Sequence, residues 1–229
     1  MGLWRYLDLA KLLAFLQTQS LYFCRGDQLD DPLEGSYPLK NLSTFGNNVD
    51  GYDARDWRKF VAVSCWHKSD IESDAMWRLY TNNKQGVALK TSWRKLEKAI
   101  ESQAYLTEVK YIDFVNDKAG IHTPTYVFEY KRKAYAHENE VRAIIHYLPV
   151  MDFVNELPLN SEPIEGEELS ESGLSIDVEF TELIDHIVIS PYADSWFSNI
   201  IKGLVSQYGL PEGVVIESEL KVDPVYARI

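Results

Sequence analysis

The segment with the most chemistry in it is His137-Glu138-Asn139-Glu140-Val141-Arg142, which runs into Ala143-Ile144-Ile145-His146. Read as the start of a strand, alternate residues share a face. Val141, Ala143 and Ile145 then form the buried side, and Glu138, Glu140 and Arg142 project from the other. Two carboxylates at this spacing could bind a metal, act as acid and base, or stabilise a developing cation. Carboxylates that close repel unless Arg142 or a ligand neutralises them. The plain alternative is a solvated face with a Glu140–Arg142 pair.

A second cluster is Asp30-Asp31-Pro32-Leu33-Glu34-Gly35, three acids around a tight turn. Here the plain reading is a turn in which Asp accepts local hydrogen bonds. A third is Ser64-Cys65-Trp66-His67, followed by Glu72, Met76, Trp77 and Tyr80. On a helix Glu72, Met76 and Tyr80 share one face. Met and aromatics at that spacing are usually core. Adjacent strand residues point apart, so Cys65 and His67 make no nucleophile pair by themselves. Cys65 reads as a small buried hydrophobe. Arg5 stands between Trp4 and Tyr6 in an apolar stretch and needs a carboxylate or a ligand phosphate as partner. The five His are scattered, without zinc-type spacing.

These residues need elements to carry them. Residues 3–7 read as a strand. Asp8 is a good N-cap for a helix over 9–18, where Leu9, Leu12, Leu13 and Leu16 recur at helical spacing. A strand over 20–25 follows, then a long loop over 26–56 rich in Gly, Asp, Asn and Pro. Strands are expected at 60–65, 87–89, 106–111, 140–146, 186–190 and 214–218. Ser69-x-x-Glu72 fits a capping box for a helix ending near Tyr80. Further helices are expected at 93–102 and 195–208. Residues 128–136 are basic and ambiguous, and 155–173 read as an exposed acidic loop. No Gly-rich phosphate loop follows a strand, which disfavours a doubly wound nucleotide fold. The expectation is an α+β single domain over 1–229, with a mixed, mostly antiparallel central sheet flanked by helices. The motifs lie in 3–146, and a strand, a helix and a strand close the fold over 186–218.

Bulk composition narrows the function classes. At 229 residues, 45% hydrophobic and 25% charged, the chain can bury a full core. Cys24 and Cys65 are too few for a disulfide framework, which suggests reduced thiols and a cytoplasmic setting. The first residues lack a signal-peptide pattern, and no apolar run is long enough to span a membrane. Residues 143–201 hold twelve acids and no Lys or Arg, which equals the entire net charge of −12. An acidic lobe repels phosphate backbones, so duplex nucleic acid is an unlikely partner. The balanced remainder could hold a small phosphate-bearing ligand, and the acidic loop could face a protein partner.

Several segments together resemble the mostly bacterial family known as domain of unknown function 2971. They are Leu3-Trp4-Arg5-Tyr6, Leu21-Tyr22-Phe23, Asp30-Asp31-Pro32-Leu33-Glu34, Ser64-Cys65-Trp66, Met76-Trp77-x-x-Tyr80 with Gly86-Val87-Ala88, and Lys131 through Glu138-x-Glu140-x-Arg142. The resemblance runs in order over about 3–146. This chain has Asp30 where the family often has Asn, and Trp66 where it often has Phe. The succession of Arg5, a helix, strand 20–25 and a late Glu-x-Glu also resembles ADP-ribosyltransferases, although no Ser-Thr-Ser or paired-Tyr signature follows that strand.

That second resemblance implies NAD as substrate and a role as a toxin or phage-defence effector. Glu140 would be the catalytic carboxylate, with Glu138 positioning the acceptor. Arg5 would hold phosphate and Trp77 or Tyr80 would line the pocket. Tyr6, Asp31, Glu34, Ser64 and Arg142 complete the expected substrate-binding set. One alternative is a phosphoesterase or nuclease with Asp31, Glu34, Glu138 and Glu140 around Mg²⁺. Another is a non-catalytic sensor or interaction module. All three share the expectation of one cleft lined by Arg5, Trp77, Tyr80 and Glu140.

Overall fold

The structure, a computed structural model, describes residues 1–45, 58–81, 83–101, 103–121, 124–146, 172–211 and 213–222. Contacts divide the chain into two compact units. Unit 1 comprises Met1–Ser20, Trp66–Ala99 and Asp177–Ile229, and unit 2 comprises Leu21–Cys65 and Ile100–Ile176.

Unit 1 is organised around strand β1 (Gly2–Asp8), which pairs antiparallel along its whole length with β4 (Gly86–Ser92). On its other side Trp4 pairs with His67, near the end of β3 (Val61–Lys68). Strand β10 (His186–Ile189) runs antiparallel to β4, and β11 (Val215–Glu217) runs parallel to β10. The Asp8 side chain caps helix α1 (Leu9–Thr18) by accepting the Lys11 N–H at 2.8 Å. Leu12, Phe15 and Leu16 form its buried stripe, as their spacing demands. The helix stops at Gln19, in the left-handed region with φ 49°.

Helices α3 (Asp74–Tyr80), α4 (Trp93–Ala99), α5 (Phe180–Leu183) and α6 (Ser195–Gln207) complete the unit. One core cluster joins Trp4, Tyr6, Met76, Trp77, Ala88 and Val188. Helix α3 begins a turn later than the Ser69 capping box suggests. Its cap is Ser73, whose hydroxyl accepts the Met76 N–H. Ser69 is committed elsewhere: its N–H bonds the Gly2 carbonyl and its carbonyl accepts the Trp4 indole N–H at 2.8 Å.

Unit 2 holds β2 (Ser20–Arg25), the Val61–Cys65 part of β3, β5 (Tyr105–Glu108), β8 (Glu140–His146) and β9 (Gly173–Asp177). Cys24 pairs antiparallel with Val63, β8 lies between β3 and β5, and β9 borders β2. Strands β6 (Lys110–Ile112) and β7 (Tyr130–Arg132) make a small parallel sheet. The core gathers Val61, Val63, Phe114, Ile121, Val127, Phe128 and Ile144. The expected α+β class with a mixed, mostly antiparallel sheet stands.

The expected loop over 26–56 contains a helix, α2 (Leu39–Phe45). Buried Asn41 pins it by exchanging two hydrogen bonds with the Ala119 backbone, at 2.8 and 2.9 Å. The expected strand 106–111 is broken at Val109, whose N–H turns to the Glu140 carbonyl. The acidic loop expected over 155–173 lies, up to residue 171, outside the described residues.

Gly26 sits against the ring edge of Phe128. A Cβ there would stand 2.5 Å from the ring and 2.8 Å from the Arg58 carbonyl oxygen. Gly26→Ala is therefore expected to cost about 1–3 kcal/mol in urea unfolding, the usual scale of overpacking. Gly203→Ala, inside α6 with nothing within 4 Å of the new methyl, is expected to hold or gain up to about 1 kcal/mol.

Candidate functional site

Glu34 reaches the interior of unit 2 through a turn that begins with an Asx bond, in which the Asp31 carboxylate accepts the Leu33 N–H at 3.0 Å. The Glu34 N–H then bonds the Asp31 carbonyl at 3.0 Å. Arg132 grips the same Asp31 carboxylate with Nε at 3.0 Å and Nη2 at 2.7 Å, a two-pronged contact. Gly35, at φ +75°, lets the chain turn away beside the Phe128 ring.

From the opposite direction comes Lys131, in the middle of β7. A 3-10 turn over Lys133–Glu138 follows and ends at Asn139, left-handed with φ 40°. Asn is one of the few residues that adopts this conformation without severe cost. The left-handed step inserts a corner between Glu138 and Glu140. Strand β8 then starts at Glu140, whose N–H donates to the Tyr111 hydroxyl at 2.9 Å.

These elements converge on one ammonium. Lys131 Nζ lies 2.6 Å from Glu138 Oε2, 3.0 Å from Glu34 Oε1 and 3.3 Å from Glu140 Oε2. A lysine has three N–H donors, and here three carboxylates stand against them. Arg142 supplies the second cation. Its Nε meets Glu140 Oε1 at 2.7 Å, and its Nη2 meets Glu34 Oε2 at 2.6 Å and Glu140 Oε2 at 3.1 Å. Its Nη1 donates to the Phe128 carbonyl at 3.0 Å. All five side chains are buried, and Arg142 is 0% exposed. Among the described residues, three carboxylates and two cations share these ion pairs.

Titration follows from this geometry. Burial alone would raise the Glu140 carboxyl. The charge and hydrogen bonds of Arg142, then Lys131 and the Cys65 thiol, outweigh it and hold Glu140 at about 2. Burial pushes the Cys65 thiol well above its ordinary range, and neighbouring Glu140 adds to the rise. Burial likewise lifts Tyr111 to about 12. Burial opposes the charge on Lys131 and Arg142, but the carboxylates raise both above their usual values.

The structure alters several expectations at once. Glu138, Glu140 and Arg142 do not project from a solvated strand face. Strand β8 is buried on both faces through Ile145. Glu138 also precedes the strand, so the turn at Asn139, not strand alternation, brings it beside Glu140. The turn reading of Asp31 is realised, and the same carboxylate is an ion-pair partner. Ser64 is fully buried in unit 2.

The remaining candidates belong to unit 1. Arg5 stacks its guanidinium 5.7 Å from the Trp66 ring centroid. Tyr6 accepts the Ser73 N–H at 3.1 Å and meets Trp77 edge-on at 4.9 Å. Trp77 is 0% exposed, whereas Tyr80 is 44% exposed. One is core and the other is surface, so these two aromatics do not form a common wall. Glu72 precedes α3 and takes the Trp77 indole N–H at 3.0 Å.

Sequence reasoning missed Lys131 as the hub. It sits in a three-residue strand with no periodicity to reveal it. The one available signal was that three buried acids require cations.

The donor set does not fit Mg²⁺. The point where the three carboxylates converge already holds the Lys131 ammonium, and Arg142 covers both Glu140 oxygens. Asp31 faces Arg132 instead. Among the described residues, no group of three or more His, Cys, Asp or Glu could hold a metal ion.

Residues 76–143 match the family described as protein of unknown function (DUF2971). That stretch lies within the 3–146 resemblance and includes Trp77, Lys131, Glu138, Glu140 and Arg142. No curated protein matches the chain. Two solved structures are similar to it. One is Thermus sp. 2.9 DarT in complex with ADP-ribosylated ssDNA, at 7% identity and TM-score 0.40, covering 91% of this chain and 88% of that one. The other is Thermus sp. 2.9 DarT in complex with carba-NAD+, at 9% identity and TM-score 0.40, covering 96% and 95%. No described helix is long and apolar enough to cross a membrane.

Removing Arg142 leaves Glu34 and Glu140 buried without their main partner. Arg142→Met is expected to cost about 3–5 kcal/mol in urea unfolding at neutral pH. Because the folded-state pKa of Glu140 is lowered to about 2, its stabilising contribution is present above its ordinary value and lost as pH falls toward 2. The stability gap between wild type and Glu140→Gln should thus be flat near neutrality and narrow below about pH 4.5. A gap that stays constant to the acid limit would contradict that assignment.

Proposed function

We propose that the chain is an NAD-consuming, ADP-ribosyltransferase-like enzyme that works through the Lys131-centred carboxylates. One observation carries this reading: among the described residues, Lys131 and Arg142 gather three buried carboxylates, Glu34, Glu138 and Glu140, into one site away from water. Breaking the nicotinamide–ribose bond builds positive charge on the ribosyl carbon and ring oxygen. A fixed negative charge stabilises that state more than the ground state. The bonding pair leaves with nicotinamide, an acceptor or water oxygen bonds the ribosyl carbon, and that nucleophile's proton passes to solvent water.

In this reading Glu140 acts by charge, since Arg142 and Lys131 engage both its oxygens. A carboxylate so engaged is a poor proton acceptor and a stable electrostatic partner. Glu138, across Lys131 from it, positions the acceptor. In a bacterial cell, such an activity would suit a toxin or a phage-defence effector.

The test is incubation of the pure protein with NAD, with and without EDTA, following nicotinamide release. Release that survives EDTA is expected, falling at least about 100-fold in Glu140→Gln and in Glu138→Gln. Circular dichroism melts separate lost chemistry from lost folding, since Glu140→Gln also removes an Arg142 partner. No release by the wild-type protein, or undiminished release by both folded variants, would overturn the reading.

A further inference from the structure

We propose that Lys131 is a positioning residue whose single ammonium bridges Glu138 and Glu140 and holds them side by side, adding to the hold of Arg142 on Glu140. The inference rests on the functional reading above for its catalytic meaning, but its structural content stands on the cluster alone. Lys131 contacts all three carboxylates, whereas Arg142 contacts only Glu34 and Glu140. Lys131 thus bridges the two acidic residues on either side of the Asn139 corner, and Arg142 makes no such link. Its ammonium also stands 4.8 Å from the Tyr135 ring centroid, on the turn that ends at Glu138.

The groups facing Glu140 come from every element around it. The 31–34 turn brings Glu34, β3 brings Cys65 and β6 brings Tyr111. Strand β7 brings Lys131, the 3-10 turn brings Glu138, and β8 itself brings Arg142. Among them only Lys131 and Arg142 are cations. The neighbouring Arg132 is occupied by Asp31 and Tyr135. Carboxylates drawn together repel unless a cation offsets them, and Lys131 contacts both Glu138 and Glu140.

Two variants of the full chain test this. Lys131→Met removes the ammonium. Glu34→Gln/Lys131→Met removes it together with one carboxylate, so the formal charge of the cluster matches the wild type and folding is protected. The first readout is a pH titration of Glu side-chain carboxyls by ¹³C NMR, with the Glu140 signal assigned by its loss in Glu140→Gln. The Glu140 midpoint is expected to rise by at least about one pH unit in both variants. An unmoved midpoint in whichever variant folds would overturn the proposal.

The second readout is the acid limb of the pH profile for nicotinamide release. It is expected to move in step with the Glu140 midpoint, with the loss in kcat and not in KM. A moved midpoint with an unmoved acid limb would overturn the positioning role. If wild type releases no nicotinamide, the functional reading fails by itself, and the NMR midpoint still decides the structural role of Lys131.

Discussion

Unit 2 depends on how two buried cations are shared among three buried carboxylates. Taking five charges out of water is costly, and mutual attraction offsets that cost only where geometry is close and the remaining donors are satisfied. Here each N–H of Lys131 can face a different carboxylate, and Arg142 spends its fork on two of them and the rest on a backbone carbonyl. The surrounding backbone follows from that requirement. The Asx turn at Asp31 presents Glu34, the left-handed corner at Asn139 presents Glu138, and β8 carries Glu140 and Arg142 inward. Strand β8 also supplies Ile144 to the apolar core.

In the proposed function the same cluster serves the chemistry. Lys131 and Arg142 fix ionised carboxylates where a reaction that develops positive charge would use them, and the Lys131 ammonium takes the place a metal would need. Cys65 fits the same picture: its thiol lies against Glu140 and stays protonated, a donor to the cluster rather than a nucleophile.

Much of the scaffold was legible in the sequence because local rules fixed it. The Asp8 cap, the leucine spacing of 9–18 and the apolar run after Glu140 each act within a few residues of themselves. What could not be read depended on distant partners. Ser69 looked like a helix cap, but its backbone is drawn to Gly2 and Trp4. Helix α2 hides in a polar stretch because its anchors lie far along the chain: Asn41 exchanges bonds with Ala119, and the Leu39 N–H bonds the Phe114 carbonyl. Glu138-x-Glu140-x-Arg142 was recognisable as a charged triplet, yet its burial depends on β3 and β5 flanking β8, and its register on Asn139 leaving the strand conformation. Lys131 was invisible for the same reason, since its importance lies entirely in three acids contributed by other segments.

The most direct measurement is a titration of ¹³C-glutamate-labelled protein with NAD, read beside calorimetry of the same mixture. If the cluster is where NAD acts, the Glu138 and Glu140 carboxyl signals shift in proportion to bound NAD, while those of exposed Glu97 and Glu219 in unit 1 stay in place. Binding that leaves Glu138 and Glu140 unmoved, or no binding at all, would contradict the account.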